Sequence, residues 1–225
     1  MNLKGNTLVI ADTHFPAEHR KYLQHCLDTK KQYNCKNIVH VGDVADFHNI
    51  SYHEHDPDYV SISDELKQVR KCTAIWSKAF PNVHVCIGNH DALVYRKAMT
   101  HGFGVNFVKS LNEILALPKE WKWNHEWIIN GVLFKHGTGG GGSKYPHALA
   151  INHNRQSTVV GHFHSCAGIH YSASPRDLLW GMCVGCGVDR NHITQKYGAN
   201  YSSKPILTCG VVSEEGFPTI VPMKV

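Results

Sequence analysis

Residues 7–14 read Thr7-Leu8-Val9-Ile10-Ala11-Asp12-Thr13-His14, an apolar run that breaks into an aspartate and a histidine. The run is short and rich in β-branched residues, which predicts a buried strand. Four later runs share the pattern. Asn37-Ile38-Val39-His40-Val41 leads into Gly42-Asp43, and Val83-His84-Val85-Cys86-Ile87 into Gly88-Asn89-His90. Val132-Leu133-Phe134-Lys135 leads into His136, and Ser157-Thr158-Val159-Val160 into Gly161-His162. Five predicted strands therefore each end on a side chain able to bind a metal. In open α/β sheets that edge is where ligands sit.

Helical spacing lies between these runs. Tyr22, Leu23, Cys26 and Leu27 share one helix face. Ser63 is placed to cap a helix carrying Leu66, Val69, Cys72, Ile75, Trp76 and Ala79, with Pro81 beyond its end. Val105 to Leu115 and Lys144 to His153 predict two more helices. After His164 the pattern turns strand-rich, at Ala167–Tyr171, Leu178–Val184, Pro205–Val212 and Phe217–Val221, and a second sheet is expected from this region. The whole is read as one α/β domain over residues 1–225.

The composition, 42% hydrophobic and 18% charged, is that of a globular chain able to bury its own core. A net charge of +5 favours anionic substrates but is too weak to argue for nucleic acid alone. No run reaches the length of a membrane helix and no leader is read at the start, so the expected location is the cytoplasm. The eight widely spaced cysteines are expected to be reduced and buried.

Taken in order, the strand ends spell Asp12-Thr13-His14, Gly42-Asp43-Val44-Ala45-Asp46, Gly88-Asn89-His90-Asp91, His136-Gly137 and Gly161-His162-Phe163-His164. This series resembles the calcineurin-like metallophosphoesterase family over residues 12–164. The resemblance implies a two-sheet β-sandwich flanked by helices and two divalent metal ions. Asp12, His14 and His164 would hold the first ion and Asn89, His136 and His162 the second, with Asp43 bridging. Manganese is favoured; imidazole and carboxylate donors also suit iron, zinc, nickel or cobalt. The implied reaction is phosphoester hydrolysis by a metal-bridging hydroxide. His90 would act as the acid for the leaving group, with Asp46 hydrogen-bonded to it, and Asn89 and His90 would contact the substrate.

Spacing adds an expectation of its own. If Gly161–His164 is extended, His162 and His164 face the same side, and Asp12 and His14 share that spacing. Phe47 and Asp91 depart from the protein Ser/Thr phosphatase branch, which carries arginine and glutamate there. The phosphodiesterase and small-molecule branches are therefore favoured, with a small molecule or a nucleic acid as substrate and no obligate protein partner. A nuclease, or an inactive binding scaffold on the same fold, are the alternatives.

Weaker features carry two readings each. The glycine run Gly139–Gly142 before Ser143-Lys144 is either a flexible turn or a phosphate contact in which Lys144 takes part; its order excludes a nucleotide P-loop. His48, His53 and His55 line either a pocket or a solvated loop. Cys183-Val184-Gly185-Cys186 reads as buried small residues. Trp121, Trp123 and Trp127 read as core.

Overall fold

The computed structural model describes all residues except 53–54, 140–143, 199, 201 and 225, and the side chains at 197 and 198. Two sheets face each other, with helices on the outer side of each.

The first sheet is built on β1 (Thr7–Ile10), β2 (Asn37–His40), β3 (Val83–Cys86) and β4 (Trp121–Asn124), all parallel. Two antiparallel strands, β10 (Thr208–Val212) and β11 (Pro218–Pro222), extend it on the β1 side. The second sheet runs β5 (Glu126–Ile129), β6 (Val132–Lys135), β7 (Thr158–Val160), β9 (Leu178–Val184) and β8 (Ala167–Ala173).

Every residue of β1 is buried because both faces of the strand are covered. Leu8 and Ile10 join the layer under α1 (Tyr22–Gln32) and α2 (Ile62–Ala79), with Tyr22, Trp76, Phe80 and Trp121. Val9 and Ala11 point between the sheets, against Val39, Phe134, Val159, Met182 and Val184. The period of two thus sorts one strand into two cores. Among the described residues three further helices follow: α3 (Leu93–Thr100), α4 (Leu111–Leu115) and α5 (Pro146–Asn154).

Several expectations are corrected. The cap of α2 is Ser61, whose hydroxyl accepts from Asp64 N–H; Ser63 lies in the first turn. The helix expected over 105–115 is two pieces: a 3₁₀ turn at Val105–Phe107, then α4. Ser110 divides them, closing a capping box with Glu113. The strand-rich end does not build the second sheet alone. β8 and β9 join it, while β10 and β11 return to the first sheet, where β10 covers the open edge of β1. The tryptophan segment forms two strands in different sheets; Trp121 is fully buried and Trp123 and Trp127 half-buried.

The eight cysteines are unpaired; six are buried as expected, Cys183 and Cys186 among them, while Cys72 and Cys166 are half-buried. Among the described residues no helix is long and apolar enough to cross a membrane.

Candidate metal centre

The strand ends meet at one edge of the sandwich, and backbone hydrogen bonds lock their loops together. Asp12 N–H donates to Gly42 O at 3.2 Å, His14 N–H to Asp43 O at 3.0 Å and Phe15 N–H to Val44 O at 2.9 Å. His162 N–H donates to both oxygens of Asp12, at 3.1 and 3.0 Å.

Three overlapping groups of donor atoms result. Asp12, His14 and His164 form one, Asp43, His136 and His162 another, and His14, Asp43 and His90 stand between; within each group the atoms lie within 4.8 Å of one another. His136 Nε2 is 3.1 Å from Asp43 Oδ2 and 2.9 Å from Asn89 Oδ1. His14 Nε2 is 3.1 Å from His164 Nε2 and 3.5 Å from Asp43 Oδ2. Two donors on one ion, each about 2.1 Å from it, stand about 3.0–3.4 Å apart. The observed separations have that size, so the residues fit divalent metal.

The other ring nitrogens support the fit. His14 Nδ1 bonds Asp46 Oδ1 at 2.8 Å and His136 Nδ1 bonds Val41 O at 2.9 Å. A carbonyl can only accept, so His136 carries its proton on Nδ1 and keeps Nε2 for the site. Asp46 orients His14 in the same way.

Backbone conformation is also concentrated here. Asp12, His14, Asp43 and His162 all have positive φ, at 46°, 46°, 53° and 68°. Such backbone is uncommon for non-glycine residues and clusters at functional sites. It corrects the expectation of an extended Gly161–His164 segment. β7 ends at Val160, Phe163 N–H turns back to Gly161 O at 2.8 Å, and His162 and His164 reach different donor groups from a bend. Two glycines make room. A Cβ at Gly88 would overlap the Asp43 carboxylate, and one at Gly161 would stand 2.5 Å from Asp12 Oδ2.

Burial favours the neutral carboxylic acid at Asp43, yet the imidazoles of His136, His90 and His14 hold it well below the usual range. Burial likewise opposes charge on His136, but Asp43 carries it up to about 10. The pocket's ligand carboxylates are ionised, as cation binding requires, and a cation at His136 Nε2 would take the place of the proton that Asp43 holds there.

His90 and Asp46 are both at the site, but their partners differ from expectation. His90 Nδ1 bonds the backbone carbonyl of Asp46 at 2.6 Å, while the Asp46 carboxylate belongs first to His14 and is 3.4 Å from His90. Lys144 is exposed, its ammonium 5.7 Å above the Tyr145 ring, and the glycine run at 140–142 lies outside the described residues. So does His53. His48 is buried, with Tyr59 and His55 rings 5.1 and 5.3 Å away.

Two supporting residues had no site role assigned from the sequence, although Asp91 stands in the third motif. Asp91 is fully buried and accepts from Val44 N–H at 3.0 Å, Ala45 N–H at 3.4 Å and Gly88 N–H at 3.0 Å. It pins the Asp43 loop to the Asn89 loop. Burial, then the Asp43 charge, raises its carboxyl to about 7. His40 accepts Gly42 N–H at Nδ1 (3.2 Å), so its Nε2–H faces Thr13 Oγ1 at 3.1 Å. Burial drives its pKa down to about 3, so it serves as a neutral strut. Its one sequence signal is a histidine inside an otherwise apolar strand.

The strand ends of the two-sheet sandwich thus carry a buried cluster of imidazoles and carboxylates that fits divalent metal. The sequence profile of the calcineurin-like phosphoesterase family matches residues 5–184, and the chain belongs to that family. Comparison with curated proteins returns no match. Among solved structures, Vacuolar Protein Sorting 29 from Cryptosporidium parvum is similar, at 12% identity and a TM-score of 0.50, over 98% of this chain and 92% of that one. A metallophosphoesterase from Sphaerobacter thermophilus aligns at 12% identity and TM-score 0.45, over 97% and 88%. Yfce, a phosphoesterase from E. coli, aligns at 13% and 0.43, over 92% and 88%. At such identities the likeness concerns the fold.

Proposed function

We propose that the protein is a dinuclear-metal phosphoester hydrolase that favours diesters. The observation that carries this is the overlap of the donor groups at Asp43 and His14. Asp12, His14 and His164 would hold one ion, Asn89, His136 and His162 the other, and Asp43 both. The donor set suits manganese, with iron, zinc, nickel or cobalt as alternatives. Two such ions supply an activated water and neutralise charge on phosphoryl oxygens.

The chain's own residues do the rest. His90 keeps Nδ1 on the Asp46 carbonyl, which leaves Nε2 to give its proton to the departing oxygen. Asn89 and His90 contact the phosphoryl group. Asp46 acts as a positioning residue through His14. An inactive scaffold would have no use for all seven donors and His90. The eight free thiols suit a reducing compartment, in keeping with a cytoplasmic location.

The preference for diesters rests on where the cations are. A monoester brings an extra negative charge that calls for a cationic clamp. Phe47, buried, stands where the phosphatase branch has arginine. Arg96 lies against Tyr52 and Lys144 against Tyr145. After metal stripping and reloading with manganese, cobalt, nickel, zinc or magnesium, bis-p-nitrophenyl phosphate should be hydrolysed with a higher kcat/KM than p-nitrophenyl phosphate. A value tenfold or more in favour of the monoester overturns the preference. No turnover of either ester with any metal overturns the enzyme.

A further inference from the structure

Helix α3 leaves the metal loop directly: Leu93 N–H bonds His90 O at 3.0 Å. Eight residues of helix carry it about 12 Å away from the centre. Along and beyond it the surface is aromatic and uncovered. Tyr52 is 59% exposed, Met99 56%, Phe103 55%, Val105 56% and Phe107 82%. The Phe103 and Phe107 rings lie 6.3 Å apart. Tyr95 Oη donates to Lys109 O at 3.3 Å, which ties the far end of this segment back to α3.

The charge of the same segment has one sign. From Leu93 to Ser110 the chain carries Arg96, Lys97 and Lys109 and no aspartate or glutamate. The guanidinium of Arg96 and the ammonium of Lys97 lie 5.0 and 4.0 Å from the Tyr52 ring centroid. Nearby acids are engaged: Asp91 is buried among backbone N–H groups, Glu113 closes the cap of α4, and Asp56 pairs with Lys196 at 2.9 Å.

Exposed rings beside unopposed cations suit a ligand that presents both flat faces and phosphates. A single-stranded nucleic acid does so at every residue, whereas a duplex hides its base faces. We infer that the Tyr52–α3–Phe107 ridge binds single-stranded nucleic acid and leads its phosphodiester backbone to the metal centre. This rests on the hydrolase reading of that centre and names its substrate class. Net charge alone is too weak to point here, because the fold is what brings Tyr52 against Arg96 and Lys97.

The probe is fluorescein-labelled oligothymidylate, with binding read by anisotropy in EDTA so that no hydrolysis intervenes. The intact protein should bind it, more weakly as salt rises. Phe103→Ala with Phe107→Ala should weaken binding on the order of 10- to 100-fold, since one stacked ring is worth about tenfold, with the salt slope kept. Arg96→Ala with Lys97→Ala should lower that slope by about 1.4, or 0.7 for each lost phosphate contact. Phe103, Phe107 and Arg96 are exposed and Lys97 is half-buried, so melting of each variant is checked to verify folding.

Absence of binding at low salt, or equal binding by both variants, overturns the inference. So does capture of anionic phospholipid vesicles with the same losses, which would assign the ridge to a lipid surface. Self-association abolished by the phenylalanine changes would assign it to a second copy and equally overturn the inference. Hydrolysis of bis-p-nitrophenyl phosphate by the intact protein separates the two levels. Turnover without oligonucleotide binding sinks the ridge alone. Binding with no turnover of any diester sinks the hydrolase reading, and with it the bound strand as substrate.

Discussion

His14 and His136 each turn one ring nitrogen to the protein and keep the other for the site. That division is what the proposed ligand roles require, and it extends to His90, whose Nδ1 is held by a carbonyl. His90→Ala should therefore leave the metals in place and lower turnover of an alkyl diester, a poor leaving group, on the order of 10²–10⁴-fold. The loss should be smaller with p-nitrophenol, which departs without a proton. Equal losses for both leaving groups would contradict the acid role. That most of these side chains would gather at one edge was legible residue by residue, because a histidine or aspartate directly after an apolar run has few structural uses. The partner of Asp46 was not legible. Asp46 lies between His14 and His90 in space, and only coordinates show that its carboxylate goes to one and its carbonyl to the other.

At the scale of elements, the site is a set of loops held in register by hydrogen bonds that the sequence does not display. Asp91 is the clearest case, one carboxylate accepting three backbone N–H groups from two loops. Asp91→Ala would leave those buried groups unpaired, at a cost of about 2–3 kcal/mol. For a domain of this size that is a fall in melting temperature of about 4–12 °C. Metal affinity should fall with it, because the Asp43 and Asn89 loops lose their tie. A variant that melts and binds metal like the intact protein would show that Asp91 is a bystander. The strands β1, β2, β3, β6 and β7 were readable from apolar runs that break on polar ends. The bend at His162 was not, since a left-handed histidine leaves no mark on composition. β4 and β5 were also hidden: Trp121-Lys122-Trp123-Asn124 and Glu126-Trp127-Ile128-Ile129 are half-exposed strands without a long apolar run. The Val105–Leu115 segment has helical spacing, yet Ser110 starts a new helix within it.

For the molecule as a whole, the sandwich places two cores around one edge and leaves buried carboxylates and imidazoles facing each other there. Asp12, Asp43 and Asp46 are each 2% exposed or less. Burying ions is costly unless opposite charge compensates them, and divalent cations at the proposed centre would supply that compensation together with the imidazoles. The long-range return of β10 to the edge of β1 was beyond the sequence reading, because strand pairing over some two hundred residues is set by which edge remains open. The central claim is two ions per chain, joined through Asp43. The measurement that tests it most directly is metal content by mass spectrometry after stripping and reloading with manganese, for the intact protein and for Asp43→Asn. Two ions per chain in the first and a loss of both occupancy and turnover in the second are expected. Two ions with near-normal turnover in Asp43→Asn, or one ion or none in the intact protein, would contradict it.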